Sequence, residues 1–416
     1  MKVFRKTGGL LLGAVLVLGL AGCGGGNNAV NGSAAPTKSV TGTTGVGESA
    51  APSLSPSPAE PTKAAGQPSV STKPTAAPAN EASTKLGGIV TALRLADANS
   101  GWAGGEGWIA RTDDGGKTWL KQMSPASTVQ QIFALNGKTA WATLGSDNTK
   151  SLQLFHTTDG GTHWTETGTV PNRAFFHFVT PQEAFSGQAH TVNDGKTWTE
   201  LPVPAGMVGD PYFHDANNGW AVTQESGKFH ISRTEDSGKT WRSVMTGNSA
   251  GSVNGVVIRS TGKNDAWVEL IGDSGMSQTS YSLFHTADGG KTWIRVLAND
   301  QAGSGPAPGF GMNEETKVPR NTGNSPGALY VVNPQNAFMG GQCLACDNTN
   351  TMGKTTDGGK TWVNQPGEFP GYGKQQIAAV DAEHVWLITT DASAPSVLYT
   401  SSNGGKTWSK VHTFSP

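Results

Sequence analysis

The chain has no excess of charge of either sign, since its 416 residues carry 30 Lys and Arg against 31 Asp and Glu, a net charge of −1. A nucleic-acid groove requires a clustered excess of basic residues, so this balance argues against a nucleic-acid partner. A P-loop, an HExxH motif and a Ser-His-Asp signature are also missing. The sequence therefore predicts no cofactor and no bound metal.

Aromatic residues are missing from residues 24–87, where Gly, Ala, Ser, Thr and Pro dominate. Such a composition cannot bury enough apolar surface to offset its ordering entropy, which predicts a disordered linker. Ahead of it, Lys2, Arg5 and Lys6 precede about fifteen apolar or glycine residues. This pattern is typical of a secretory signal and is short for a membrane span. We expect a signal peptide over residues 1–22 and a linker over residues 23–87.

The signal ends in Leu20-Ala21-Gly22-Cys23, which resembles the bacterial lipobox. The resemblance implies cleavage before Cys23 and attachment of two or three acyl chains to it, enough for stable anchoring. It also implies a location on the extracytoplasmic face of a bacterial cell membrane. An unrelated cysteine within an ordinary signal is the alternative.

Beyond the linker, one octapeptide recurs seven times with the pattern Ser/Thr, any, Asp/Asn, any, Gly, any, Thr, Trp. The copies span residues 112–119, 157–164, 191–198, 234–241, 286–293, 355–362 and 401–408. Their third positions are Asp114, Asp159, Asn193, Asp236, Asp288, Asp357 and Asn403, and their eighth are Trp119, Trp164, Trp198, Trp241, Trp293, Trp362 and Trp408. Only His163 departs from Thr at the seventh position.

A second motif precedes each octapeptide and ends in a small residue followed by an aromatic residue. Its copies are Gly101-Trp102, Ala140-Trp141, Ala184-Phe185, Gly219-Trp220, Ala266-Trp267, Ala337-Phe338 and the looser Val385-Trp386. The first unit reads as four short strands, IVTALRL, GWAGG, GWIART and TWLKQM, which we call A to D. Residues 88–416 divided by seven give 47 residues per unit, close to known propeller blades of four strands.

The octapeptide itself is predicted to be a turn between strands C and D. Asp357 is expected to accept hydrogen bonds from backbone N–H groups, and Gly359 to adopt positive φ. Trp362 is expected to return into the sheet as an apolar wedge, worth about 3 kcal/mol if fully buried. These roles are structural, so we expect no catalysis by the octapeptides.

The octapeptides resemble the Asp-box, or bacterial neuraminidase repeat. With the preceding Gly-Trp-Ala motif, the unit is similar to the seven-bladed propellers of the photosystem II assembly and stability factor family. The resemblance covers about residues 88–416 and implies a seven-bladed β-propeller with four antiparallel strands per blade and an assembly or docking role. Asp-boxes also occur in sialidases, xyloglucanases and sorting receptors, so they do not fix an activity.

Strand alternation places all octapeptides on one face of the ring, together with the A–B turns. The B–C loops and D–A links share the other face, which we call the long-loop face because extra length falls there, in residues 272–280, 299–327 and 341–353. We expect these three segments to be neighbours in space. Loops of such length are often functional.

The long-loop face carries the residues that we expect to bind a partner. They mix apolar and charged side chains, as binding patches do, and are Tyr281, Phe310, Met312, Glu314, Glu315 and Arg320. An insertion without a partner is the alternative. The same face carries Cys343 and Cys346, for which a local disulfide is the simplest prediction in an exported chain. A metal or redox role for this pair remains the alternative.

We therefore expect a non-catalytic, membrane-tethered, monomeric propeller that binds a protein or a cell-envelope polymer through its long-loop face. The alternative is a carbohydrate-active enzyme or a sugar-binding module. A sialidase is disfavoured because its N-terminal Phe/Tyr-Arg-Ile-Pro motif is missing. A glycosidase would need two paired acids, for which the open candidates are Asp210, Asp273, Asp300, Glu314 and Asp347.

Overall fold

The computed structural model describes residues 86–300, 303, 305–311, 317–343, 349–371, 373–391 and 393–414. These residues form seven antiparallel sheets, each containing strands A to D of one unit in spatial order. Around the ring, the A strand of each sheet contacts an A or B strand of the preceding sheet, and the last A strand packs beside the first. The prediction of a seven-bladed propeller with four-stranded blades is confirmed.

Blades 1 to 3 are built from the first twelve strands. Blade 1 comprises β1 (Val90–Leu95), β2 (Gly101–Gly105), β3 (Trp108–Thr112) and β4 (Leu120–Met123). Blade 2 comprises β5 (Val129–Ala134), β6 (Ala140–Leu144), β7 (Leu152–Thr157) and β8 (Thr165–Val170). Blade 3 comprises β9 (Phe176–Phe178), β10 (Ala184–Ser186), β11 (Ala189–Thr191) and β12 (Thr199–Glu200).

Blades 4 and 5 contain longer B and C strands. Blade 4 comprises β13 (Tyr212–Phe213), β14 (Gly219–Glu225), β15 (Lys228–Thr234) and β16 (Arg242–Asn248). Blade 5 comprises β17 (Gly255–Arg259), β18 (Ala266–Gly275), β19 (Gln278–Thr286) and β20 (Ile294–Asn299).

Blades 6 and 7 complete the ring. Blade 6 comprises β21 (Ser325–Asn333), β22 (Asn336–Cys343), β23 (Thr349–Thr355) and β24 (Val363–Asn364), and the short β25 (Phe369–Pro370) also pairs with β23. Blade 7 comprises β26 (Gln376–Ala379), β27 (Val385–Thr389), β28 (Val397–Ser401) and β29 (Ser409–Thr413). In the described part of the chain, no helix is long and apolar enough to span a membrane.

The octapeptides form the turns between strands C and D, as predicted. In all seven, the first hydroxyl donates to the side-chain oxygen of the third residue at 2.8–3.0 Å, and that oxygen accepts the backbone N–H of the seventh residue. The glycine at position five has positive φ in every copy, from 74° to 89°. The turn is thus closed by bonds within eight residues, which explains why the motif is recognisable in the sequence.

The copies that deviate from the consensus conserve the same geometry. His163 replaces a threonine hydroxyl with Nδ1, which lies 2.6 Å from the Asp159 carboxylate. Where the third residue is Asn193, its amide donates to the Thr197 hydroxyl at 2.8 Å, reversing the direction of the bond. At position four, Asp194 and Ser237 adopt φ values of 60° and 66° where the other copies have glycine.

Each octapeptide also bonds to the A–B turn of its own blade, beginning with Gly115 N–H to Asn99 O at 2.9 Å in blade 1. The equivalent bonds join Gly160 to Lys138, Asp194 to Gln182, Ser237 to Asn217, Gly289 to Asn264, Gly358 to Gln335 and Gly404 to Glu383. The A–B turns and octapeptides therefore share one face, the octapeptide face, as predicted from strand alternation.

The aromatic residues of the second motif belong to the core in every blade, whereas those of the octapeptides are buried in only two blades. Trp102, Trp141, Phe185, Trp220, Trp267, Phe338 and Trp386 are all buried. Of the octapeptide tryptophans only Trp119 and Trp362 are buried, whereas the other five are partly exposed. Each also precedes strand D instead of lying within it. The expected apolar wedge is thus buried at Trp362 and at Trp119 but only partly buried in the other five copies, because the D strand is the outer edge of the blade.

A residue that the sequence reading missed links neighbouring blades. The position immediately before each octapeptide is Arg111, His156, His190, Arg233, His285, Lys354 or Thr400. In blade 5, His285 stacks on Trp267 with ring centroids 3.9 Å apart, and its Nδ1–H donates to Gly358 O of blade 6 at 2.7 Å. In blade 1, Arg111 lies over Trp102 and donates to Gly137 O of blade 2 at 2.6 Å. The basic residue at this position is the signal that could have revealed the link.

The ring closes by packing between blades 7 and 1 without a shared strand. Phe414 is fully buried and stacks on Trp108 of blade 1 with centroids 5.8 Å apart. Val90 N–H donates to Ser396 Oγ at 3.1 Å across the same boundary. The sheets on both sides of this boundary each consist of four consecutive strands of one unit.

The octapeptide carboxylates predict a specific pH dependence. The Thr292 hydroxyl and backbone N–H donate to Asp288 and lower its pKa to about 2. Because the folded pKa is below the unfolded one, this stabilisation is complete above the ordinary aspartate pKa near 4 and is lost as the pH falls toward 2. We expect Asp288→Asn to be less stable than wild type at pH 6, with a difference that shrinks toward pH 2.

Urea unfolding of both proteins between pH 6 and pH 2 measures this difference. Asparagine occupies the same position at Asn193 and Asn403, so the variant can form the turn. A stability difference that stays constant with pH would contradict the assignment.

Candidate functional site

The structure places two residues of the expected long-loop patch in the core. Tyr281 is fully buried and Phe310 is 2 % exposed. Phe310 stacks on Phe284 of blade 5, and the preceding turn is fixed by Gly309 N–H donating to Asn248 O at 2.9 Å. Their assignment to a partner-binding surface is therefore wrong, because these side chains fill the space between blades.

Of the four remaining members of that patch, the structure describes only Arg320. Arg320 is exposed and forms an ion pair with Asp300 at 2.7 Å. Met312, Glu314 and Glu315 lie outside the described residues. Where it is described, the insertion is joined to the blades, since Asn321 Nδ2–H donates to Gly340 O and Thr322 N–H to Asn364 Oδ1. A loose, unpacked insertion does not fit these contacts.

The three long segments are neighbours, as predicted. Thr279 N–H donates to Asn324 O at 2.8 Å, and Asn324 N–H donates to Gln342 O at 2.9 Å. The first segment, however, is not a loop: β18 and β19 extend through it as a hairpin. Its two turn residues, Met276 and Ser277, have φ values of 50° and 67°, as in a type I′ turn.

Cys343 is disulfide-bonded. Its expected partner, Cys346, lies outside the described residues, as does Cys23. The pairing of Cys343 with Cys346 and the lipidation of Cys23 remain predictions. No cluster of three or more potential metal ligands occurs among the described residues.

A cavity of about 680 Å³ lies on the axis of the ring and is lined by the A strands of all seven blades. We call it the axial cavity. One layer of its wall consists of residues that pair with the core aromatics of strand B: Arg94, Phe133, His177, Tyr212, Arg259 and Tyr330. The equivalent residue of blade 7, Ala378, is buried and does not line the cavity. Each precedes its partner by eight residues in the sequence. This constant spacing is the signal that could have located the layer.

The Arg94 guanidinium is held on one side of the axial cavity. It lies 4.5 Å from the centroid of the Phe133 ring, in a cation–π contact. Its Nη1–H approaches the Tyr330 hydroxyl at 3.4 Å, and its buried Nε–H has no hydrogen-bond partner. Arg94 therefore has donors that the described protein does not use.

Arg259 occupies an equivalent position in blade 5. Its guanidinium lies 3.7 Å from the centroid of the Phe175 ring, and Nη1–H donates to the adjacent Ile258 O at 2.8 Å. Burial lowers the pKa of Arg259 to about 10. This value leaves the guanidinium charged at neutral pH.

Two neutral groups lie between the arginines. Burial lowers the pKa of His177 to about 3 and raises that of Tyr212 to about 12. The charges of both Arg94 and Arg259 act on each of these groups. Both arginines therefore contribute to one electrostatic environment, in which His177 is neutral and Tyr212 keeps its proton at neutral pH.

A buried carboxyl group lies behind this layer, on strand B of blade 5. Burial raises the pKa of Glu269 to about 8, while the charge of Arg259 opposes the shift. Oε1 of Glu269 has no hydrogen-bond partner. Burial therefore disfavours the charged carboxylate that would compensate Arg259.

The described wall of the axial cavity contains no Asp or Glu. At the octapeptide face all seven blades contribute to the wall, and Leu135 and Thr261 are exposed there. The acids considered from the sequence lie elsewhere: Asp210, Asp273 and Asp300 are not in this wall, while Glu314 and Asp347 fall outside the described residues. The cavity is thus a cationic pocket that reaches the face opposite to the one expected to bind.

Comparison with solved structures finds distant propellers. The chain is 14 % identical to a GH74 xyloglucanase from Xanthomonas campestris, with a TM-score of 0.48, over 78 % of this chain and 53 % of that protein. It is 10 % identical to a lectin from Burkholderia pseudomallei, with a TM-score of 0.49, over 78 % of this chain and 98 % of the lectin. The chain thus spans about half the length of the xyloglucanase. At this identity the likeness concerns the fold alone.

No family model matches the sequence. No curated protein matches it either.

Proposed function

We propose that this chain is a non-catalytic, extracytoplasmic propeller that binds a cell-envelope polymer in its axial cavity. The observation that supports this most is the pair of arginines held on aromatic rings inside that cavity. The volume of about 680 Å³ lies within the roughly 300–1,000 Å³ of small-molecule sites. Part of a polymer, such as an end or a side group, is the ligand that such a cavity fits.

The chemistry of the wall supports binding more than hydrolysis. Most glycosidases need two carboxyl groups about 5–10 Å apart, and the described wall supplies none. The low pKa of His177 and the high pKa of Tyr212 make both poor proton-transfer groups near neutral pH. A sugar-binding module therefore agrees better with the cavity than a carbohydrate-active enzyme does.

The site differs from the one expected from the sequence. The long-loop face loses two of its apolar anchors, because Tyr281 and Phe310 are buried. Large exposed aromatic anchors are what a stable protein partner usually engages, so the polymer is the better candidate of the two partners. Lipidation at Cys23, followed by a linker, is the proposed tether, and the propeller is proposed to act as a monomer.

A cavity-filling substitution tests this proposal. Ala328 is partly exposed and lines the axial cavity, so Ala328→Trp should obstruct it. The exposed Ala205 lies in the link between blades 3 and 4, outside the cavity wall, and Ala205→Trp is the matched control. We expect the full chain to sediment with isolated cell-wall polysaccharide and Ala328→Trp to lose most of this binding.

Thermal unfolding of each variant checks that the fold is retained. If Ala328→Trp and Ala205→Trp bind like wild type, the axial cavity is not the binding site. Release of reducing sugar from the polysaccharide would contradict the non-catalytic role.

A further inference from the structure

The axial cavity contains the positive charge of two arginines, and its described wall supplies no carboxylate to pair with them. Arg94 and Arg259 face a wall without a described carboxylate. Among the described residues, the only hydrogen-bond acceptor of the Arg94 guanidinium is the Tyr330 hydroxyl, at a long distance. The only one of the Arg259 guanidinium is Ile258 O. Since a buried donor without an acceptor is costly, this arrangement favours an anionic ligand.

The two guanidiniums are also fixed before any ligand binds. Each lies close enough to an aromatic ring to make a cation–π contact, Arg94 at 4.5 Å from the centroid of Phe133 and Arg259 at 3.7 Å from that of Phe175. A guanidinium held in this way presents its planar set of N–H donors with little further loss of entropy. This geometry suits a planar oxyanion that accepts two parallel hydrogen bonds, as a carboxylate does.

A phosphate is less well matched. Phosphate sites commonly use helix N-termini or concave groups of free backbone N–H. The described residues contain no α-helix, so no helix N-terminus reaches the cavity. The donors fixed in the cavity by aromatic contacts are the two guanidiniums, whose planar geometry favours the carboxylate.

Neutral polar groups accompany the arginines. His214 and Gln376 line the cavity, and their side chains make no hydrogen bond to described residues. The Tyr330 hydroxyl is also in the wall, near Arg94. Burial lowers the pKa of His214, so its imidazole is neutral at pH 7 and is able both to donate and to accept. Such groups pair with hydroxyls rather than with charges.

From this combination we infer that the ligand of the axial cavity is an acidic saccharide, whose carboxylate pairs with Arg94 and Arg259 and whose hydroxyls meet the neutral groups. The inference rests on the proposed function and specifies the chemistry of its ligand. Uronic acid units of an envelope polysaccharide have this chemistry.

Calorimetric titration of the full chain with three soluble probes tests the inference. The probes are trigalacturonate, the neutral galactotriose and glucose 6-phosphate. We expect trigalacturonate to bind most tightly, with an affinity that falls as salt is added because the contact is between charges. Arg94→Gln and Arg259→Gln should each weaken its binding at least tenfold, whereas Arg242→Gln, at an exposed position on β16, should leave it unchanged.

The comparison of probes uses wild-type protein, so it stands even if an arginine variant folds poorly. Equal binding of trigalacturonate and galactotriose would overturn the acidic ligand. If Ala328→Trp still abolished the binding of both sugars, the proposed function would be unaffected by that result. Two further results would overturn the inference: tighter binding of glucose 6-phosphate than of trigalacturonate, or no binding of trigalacturonate at millimolar concentration. The proposed function is tested separately, by sedimentation with the polysaccharide.

Discussion

Replacing Trp267 with alanine is expected to destabilise the propeller by about 3–5 kcal/mol, the usual cost of removing a fully buried aromatic side chain. Trp267 has no exposed surface and belongs to the core cluster between blades 5 and 6. His285 stacks on it and donates to Gly358 O of the next blade. The substitution would therefore open a cavity and loosen a link between blades.

Trp241→Ala is the matched comparison, since Trp241 closes the octapeptide of blade 4 and is only partly buried. Its indole N–H donates to Pro202 O at 3.2 Å. We expect its loss to cost about 1–2 kcal/mol, in proportion to the smaller area that it buries. Urea unfolding followed by tryptophan fluorescence and circular dichroism measures both variants. Equal losses would show that octapeptide and core tryptophans contribute alike.

Phe414→Ala is expected to open the ring at its closure point, with a loss of about 3–5 kcal/mol. Phe414 is fully buried against Trp108 and Trp119, whose centroids are 5.8 and 5.5 Å from its own. Its backbone N–H donates to Ser396 O at 2.9 Å. In repeat proteins each unit is stabilised mainly by its neighbours. The loss of stability should therefore be largest in blades 1 and 7.

Native-state hydrogen exchange measures where the ring loosens. Protection should fall in β1 to β4 and in β26 to β29, while the strands of blade 4, across the ring, stay closer to wild type. Phe414→Leu keeps most of the side-chain volume and should lose less than half as much stability. If protection fell equally in all seven blades, the effect of Phe414 would not be confined to the boundary between blades 7 and 1, and the prediction would be wrong.

The turns of this protein could be predicted because their bonds are local. Every hydrogen bond that defines the octapeptide joins residues within eight positions, as between Thr112, Asp114 and Thr118. The choice of face followed from strand alternation alone, which requires no tertiary contact. The seven sheets and the shared face of turns were therefore accessible from the sequence.

The placement of Tyr281 and Phe310 in an exposed binding patch was wrong for the opposite reason. Phe310 belongs to an insertion rich in glycine and proline, which reads as an exposed loop. Its burial depends on Phe284 and on Asn248, residues about 26 and 62 positions away. No pattern near Phe310 reports those contacts.

The sequence by itself determined the blade: its four strands, its closing turn and the number of its copies, since each depends on short-range periodicity and hydrogen bonding. The tertiary structure alone decided what the blades surround. Arg94 and Arg259 are 165 positions apart, yet both act on Tyr212 and His177. They share one cavity only because seven sheets close into a ring and turn their first strands toward the axis.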